Sequence, residues 1–358
     1  MKSLHLLIII SIPISFISGI GFALFSSSVS HEPIHVVTQF NNFTTNSNNG
    51  SSFVVVNPVT NRIYVANHVN NTISVIDGND NTEIASIKVG GSLSKLAVNP
   101  NTNRIYAIED HHISNKKQNN TLFVIDGNSN AKIAEMHGPY SEVAVNPDTN
   151  RIYAFSYDDD VISVIDGINN TKIAEIKDDK SPFGIDVNPV TNRVYVAHHN
   201  FDINNKWQNG TVSVIDGNNN TKIASILVGV NPVGIGVNPV TNKIYVTNYI
   251  EGTVSVINGI NNKITGNPIQ LDPGVEGIAI NPLTNKIYVA NGLNTTLYVL
   301  DGDTGSKKDE IRVAGWSVAV NPFTDRIFVP DYFFNNLSVI DGKYDDIMTV
   351  IQIGVYPN

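Results

Sequence analysis

NPVTNRIYVAN, beginning at Asn57, and TISVIDG, beginning at Thr72, decide the fold, because both patterns recur along the chain at a nearly fixed distance. The motif NPxT starts at Asn57, Asn99, Asn146, Asn188, Asn238, Asn281 and Asn321, six intervals with a mean of 44 residues. Each copy leads into an apolar run such as RIYAIE, RVYVAH or KIYVAN, and then into a second run that ends in Asp-Gly or Asn-Gly. Runs of Val, Ile and Tyr bounded by NP, DG and NN turns read as strands, and their near-continuous apolarity requires cover on both faces. Every unit supplies four: an inner strand before NP, a second through IYV, a third through SVI, and an outer one such as KIASILVG. A lone four-stranded sheet with two apolar faces is unstable, whereas seven packed face to face around an axis bury one another. The expected architecture is all-β: a seven-bladed β-propeller of four-stranded antiparallel blades over residues 51–358, preceded by an N-terminal hydrophobic helix. Pro after Asn ends the inner strand by removing a ladder donor, and the DG and NG steps are expected to take positive backbone angles.

Composition narrows the chemistry. The 358 residues contain no cysteine, which excludes disulfides, thiolate zinc sites, iron-sulfur clusters and thiol catalysis. A net charge of -9 without a basic patch makes nucleic acid an unexpected partner. The 49 asparagines point to many tight turns, since Asn tolerates left-handed backbone and bonds its own main chain.

Residues 4–25 are uncharged and strongly apolar behind a lone Lys2, and a small-residue run follows to Ser30. As a helix this stretch would reach about 33 Å, enough for a bilayer core, so residues 1–30 read as a signal peptide or as an N-terminal membrane anchor. Pro13 and the serines favour cleavage, the length favours retention. Either way the rest is expected outside the cytoplasm, secreted or anchored at the cell surface. Residues 31–50 read as a linker, or as a clasp strand through IHVVTQF, from Ile34, pairing with the last blade.

The repeats NPxTNRIYVxN and TVSVIDG resemble those of the YVTN family of β-propeller repeat proteins, in all seven units over residues 51–353. The resemblance implies a seven-bladed propeller of archaeal or bacterial cell-envelope type, with weaker similarity to phosphogluconolactonase-like propellers. It is specific for fold and nearly silent on function, since the repeated residues are those that build a blade.

If the inner strand runs downward, the NPxTN and DG turns lie on a lower face and repeat almost unchanged, while the loops after IYVxN lie on an upper face and vary in length and chemistry. Binding residues favour such loops over a rigid scaffold. The candidates for ligand or partner binding are His68, His111, His112, Tyr157, Asp158, His198, His199, Tyr249 and Tyr332. The two long insertions, after Glu109 and His198, are expected to act as lids or rim contacts. His137 is expected in the loop joining blades two and three. With His68, His111 and His112 it forms a candidate copper or zinc site, imidazole being a common ligand for both ions. Adjacent histidines in an extended chain point oppositely, so at most one of each pair is expected to face the axis. The tyrosines of the IYV runs read as blade packing. No GxSxG, HExxH or P-loop is present. The expected function is therefore a non-enzymatic module that binds a cell-envelope protein or glycan, or serves a structural role, through its upper loops. The alternative is a lactonase-like hydrolase or lyase with His68 or His198 as base.

Overall fold

The computed structural model describes residues 51–354 apart from 69, 110–119, 158, 205 and 332. The expected signal or anchor, the clasp strand, and the candidates His111, His112, Asp158 and Tyr332 lie outside the described residues. Residues 47–358 form one compact unit, and it is a seven-bladed propeller in which each blade is a meander of consecutive antiparallel strands. Blade one runs Ser51–Asn57, Arg62–Asn67, Thr72–Asp77, Thr82–Lys88 from axis to rim. The other six repeat this order, with the outer strand of blade five broken into Lys263–Ile264 and Ile269–Gln270. Blade seven owns its outer strand, Asp346–Gln352, so all four strands of the last blade are contiguous in sequence.

Burial follows the repeat. In the second strand of each blade the residues RIYV and their equivalents pass into full burial, and the six tyrosines Tyr64, Tyr106, Tyr153, Tyr195, Tyr245 and Tyr288, with Phe328, are at most 1% exposed. They sit in seven apolar clusters, one per blade-to-blade interface, and the cluster joining Val54 and Ile63 to Phe328 and Leu337 closes blade seven onto blade one. Each buried aromatic or aliphatic side chain contributes about 1.5–3 kcal/mol. That shared burial is why no blade is stable alone.

The lower turns add a directional bond to this packing. The first Asn of each NPxTN turn is fully buried, and its side chain does two jobs. Asn188 Oδ1 accepts from the backbone N–H groups of Val190 and Thr191 at 3.1 and 3.2 Å, closing an Asx turn, while Nδ2 donates to Asn242 Oδ1 of the next blade at 2.8 Å. The acceptor is always the last residue of the neighbouring turn, which holds left-handed backbone, φ 50° at Asn242 and 52° at Asp325. The bond recurs from Asn57 to Asn103, Asn99 to Asn150, Asn146 to Asn192, Asn238 to Asn285 and Asn281 to Asp325, and Asn321 to Asn61 completes the circle. A second circle lies outside it. Arg151 Nη1 donates to Gly217 O at 2.5 Å and Lys286 Nζ to Gly342 O at 2.6 Å, and Arg62, Arg104, Arg193, Lys243 and Arg326 do the same to the next Asp-Gly turn around the ring.

One expectation is corrected here. The glycines of the DG and NG turns do not take positive φ; that geometry falls on Asn81, Asn130, Asn170, Asn220 and Asn262, three residues later. Glycine is needed for closeness instead: a Cβ at Gly78 would lie 2.4 Å from Asn61 Oδ1, and Gly78 N donates to Asn61 O at 2.8 Å.

The asparagine ring makes a graded prediction. Asn188→Ala removes three hydrogen bonds from a buried site and is expected to cost about 2–4 kcal/mol. Asn188→Asp keeps the Asx turn but sets a buried carboxylate oxygen against Asn242 Oδ1, and is expected to cost at least as much as Ala at pH 7. Urea unfolding of the three proteins checks the order; an alanine variant as stable as the parent would contradict it.

Candidate functional site: the upper mouth of the axial channel

Aligned on the Asn of NP, the seven inner strands read VVVN, LAVN, VAVN, IDVN, IGVN, IAIN and VAVN in their lower four positions. The two positions above are Ser-Phe, Ser-Lys, Ser-Glu, Phe-Gly, Val-Gly, Glu-Gly and Trp-Ser. The repeat therefore breaks at the upper end of the channel. Three glycines there are set by backbone crowding, since a Cβ at Gly184, Gly234 or Gly277 would meet a carbonyl oxygen of the next inner segment at 2.1–2.5 Å. The other positions are under no such constraint and carry Phe53, Lys95, Glu142, Phe183, Glu276 and Trp316. Irregular pairing at Ser51/Phe53, Leu93/Lys95, Pro182/Gly184, Pro232/Ile235 and Val275/Ile278 shifts the alternation just here, so that both rows reach the channel. Together they line a cavity of about 160 Å³ to which all seven blades contribute.

Lys95 Nζ pairs with Glu142 Oε1 at 2.6 Å and lies 4.7 Å from the Phe53 ring centroid. Tyr157 OH donates to the same carboxylate oxygen at 2.9 Å. Burial pushes the Glu142 carboxyl up, against the pull of Lys95 and Tyr157. Burial likewise raises Glu276, with Lys95 opposing and Glu142 adding to the rise. Trp316 lies flat on Gly292, where a Cβ would come within 2.2 Å of the indole. An aromatic wall runs outward from the mouth. Tyr157 stacks on Phe183 at 4.9 Å, Phe183 on His199 at 4.4 Å, and Trp207 meets His199 edge-on at 5.1 Å and Phe201 at 4.2 Å. Its outer end is the long hairpin of blade four, Arg193–Phe201 with Trp207–Asp216, which is the form the second insertion takes. The insertion of blade two lies mostly outside the described residues.

The candidates chosen from the upper loops separate into distinct roles. Tyr157 and His199 belong to the aromatic wall, and burial drives the His199 imidazole down to about 4, helped by its neighbour His198 and opposed by a bond to the Pro232 backbone. Tyr249 follows the strand Lys243–Asn248, and its hydroxyl is raised by burial and by the charge of Glu276, which places it beside the mouth. His68 shares a 2.8 Å hydrogen bond with Ser92 and its ring contacts Phe53 edge-on at 6.4 Å. His198 differs from expectation: it is 2% exposed, held in blade four by Asp178 at 3.1 Å and Ser213 at 3.0 Å. Its imidazole is turned into the blade rather than out onto the upper face. The pair His198 and His199 does point to opposite sides of its strand, as the pleat requires. Burial would raise Asp178, but the hydrogen bond and charge of His198, with Ser213, hold it at about 2.

His137 is also corrected. It sits in the outer strand of blade two, Ala131–Gly138, rather than in the joining loop, with Nδ1 3.1 Å from Thr121 Oγ1. The register of TLFVIDG against AKIAEMH extends one step further than the turn residues Gly138 and Pro139 suggest. Among the described residues the group of three metal-capable side chains is Asp178, Asp179 and His198. Lys222 Nζ already stands 3.1 and 2.5 Å from those two carboxylates and supplies their positive charge.

The residues lining the mouth were missed by reading loops alone; the signal that finds them is the inner-strand alignment. One lower-row residue also breaks the pattern. Asp186 replaces Val, Ala or Gly and accepts from the backbone N–H groups of Val187 at 2.8 Å and Val237 at 2.9 Å. Burial nevertheless lifts its carboxyl to about 6.

The architecture is similar to that of a solved chain titled Kuenenia stuttgartiensis Hydrazine Synthase, with a TM-score of 0.70 over 85% of this chain and 98% of that one. At 16% identity the likeness is one of fold. No family model matches the chain, and no curated protein matches it.

Asp186 carries a pH prediction. Its folded value of about 6 lies above the ordinary 3.8, so its contribution to stability is full below pH 4 and is lost as pH rises through 6. Two units correspond to about 3 kcal/mol at most. Asp186→Asn cannot titrate and is expected to gain on the parent by up to that amount between pH 4 and 7 in urea unfolding. Parallel stability curves for the two proteins would contradict the assignment.

Proposed function

We propose that this chain is an exported, envelope-associated binding module of the YVTN-repeat type, and that its partner, a cell-envelope protein or glycan, engages the upper mouth of the axial channel. The observation that carries the reading is where the repeat fails. The Asn donors that close the ring are the same in every blade and their acceptors nearly so, while the two uppermost inner-strand rows diverge into aromatic and charged side chains around one cavity. A scaffold that needed only to fold has no use for Lys95, Glu142 and Glu276 in a channel, since each loses hydration there. Aromatic walls with a few placed polar groups are the usual makeup of a ligand site. Export is supported by the apolar segment at residues 4–25.

Immobilised full-length protein exposed to fractionated envelope glycans and envelope proteins tests the assignment. Trp316→Ala and Glu142→Gln are expected to weaken retention about tenfold or more, as loss of a central anchor does. Val190→Ser, on an exposed lower turn, is expected to leave it unchanged. Retention that survives both mouth variants would place the binding surface elsewhere.

A further inference from the structure

The charges at the mouth do not balance. Glu142 is neutralised by Lys95 at 2.6 Å and steadied by Tyr157 at 2.9 Å. Glu276 also lines the cavity, yet its carboxylate has no hydrogen-bond or ion-pair partner among the described residues; only its backbone carbonyl is engaged, by Thr247 Oγ1 at 2.8 Å. It is part-buried, and its carboxylate has no cation of its own among the described residues. Groups that feel its charge are Lys95, Glu142 and Tyr249, and the one cation among them is committed to Glu142.

The walls beside it suit a particular kind of cation. Gly277 N donates to Trp316 O at 3.0 Å, which fixes the tryptophan next to the Glu276 segment. Phe53 already holds one ammonium group, Lys95, 4.7 Å from its centroid. An aromatic face attracts ammonium through the ring quadrupole, most strongly when both are desolvated. The cavity of about 160 Å³ has room for a compact head group. A neutral guest would leave Glu276 uncompensated, and an anion would face two carboxylates.

We propose that the mouth binds an organic ammonium group, primary or methylated, with Glu276 as its counter-ion and the faces of Trp316 and Phe53 against its C–H bonds. This rests on the mouth being the binding site and names the chemistry of the group that enters it. The negative net charge of the chain favours the approach of such a cation. A protonated Glu276 attracts it less, so binding strengthens with rising pH.

The test uses the full-length protein carrying Trp207→Phe, so that Trp316 is the fluorescent reporter, with calorimetry on the parent. The probes are n-butylammonium and tetramethylammonium chloride, against the neutral analogues n-butanol and 3,3-dimethylbutan-1-ol. Both cations are expected to saturate one site, the neutral analogues to bind about tenfold more weakly, and Glu276→Gln to lower cation affinity about tenfold while leaving the neutral probes unchanged. The parent is expected to bind the cations more weakly at pH 4.5 than at pH 7.5, an arm that needs no variant. The tighter of the two cations tells a free amine from a methylated one. Equal binding of butanol and butylammonium, cation binding indifferent to pH, or no cation binding at millimolar concentration overturns the proposal. If cations fail while Trp316→Ala still abolishes retention of envelope material, the ligand class falls and the site assignment stands.

Discussion

A circle of side-chain amides holds this propeller in register. Seven buried Asn side chains each close their own turn and donate to the last residue of the next turn, and Asn321 to Asn61 at 2.7 Å joins the end of the chain to its beginning. Apolar packing between blades is larger in energy but has no direction. The amide bond is specific about angle and distance, and left-handed backbone at the acceptor lets the carbonyl oxygen face its donor. Because the donor N–H and the two accepted turn bonds belong to one side chain, none of the seven asparagines can be exchanged without a loss. This explains the invariance of NPxTN within the chain more fully than the turn propensity of Asn and Pro does.

Closing the ring at the bottom frees the top. The second circle, from Arg and Lys to the glycine carbonyls, lies on the same lower side, so both circles constrain one end of the channel. At the other end, three glycines meet neighbouring carbonyls where inner strands crowd, and the remaining positions can take any side chain. The mouth uses that freedom: a Lys–Glu pair, an unpaired Glu and aromatic rings, at the cost of hydration each charge gives up. Asp186 shows the same cost lower down, where two backbone N–H groups offset part of it.

The blades, their strands and the burial of the IYV tyrosines were legible in the sequence, because a 44-residue repeat of two apolar runs admits few structures. The turns that the DG steps mark were legible too, and Asp77 Oδ1 accepts from Asn79 N at 2.8 Å. The role of the DG glycines was not, since a close approach to Asn61 depends on a contact between strands rather than on the turn itself. His198 was misleading for a related reason. It occupies the position of Asn67 and Asn248, where the side chain bonds Ser74 and Ser255 on the third strand, and His198 makes the equivalent bond to Ser213. A residue that stands in a structural slot looks functional when only its chemistry is read. The mouth lay hidden because its inner-strand members are forty or more residues apart and become neighbours only when seven inner strands are superposed.

The lower circle makes one cooperative ring with no weak seam between first and last blades. Peptide-resolved hydrogen–deuterium exchange measures this directly, since local openings reveal themselves as segments that exchange ahead of global unfolding. The NPxT segments of blades one and seven are expected to be as protected as that of blade four, all seven exchanging together. Early exchange confined to the segments around Asn57 and Asn321 would show a ring that opens at its seam, and would contradict it.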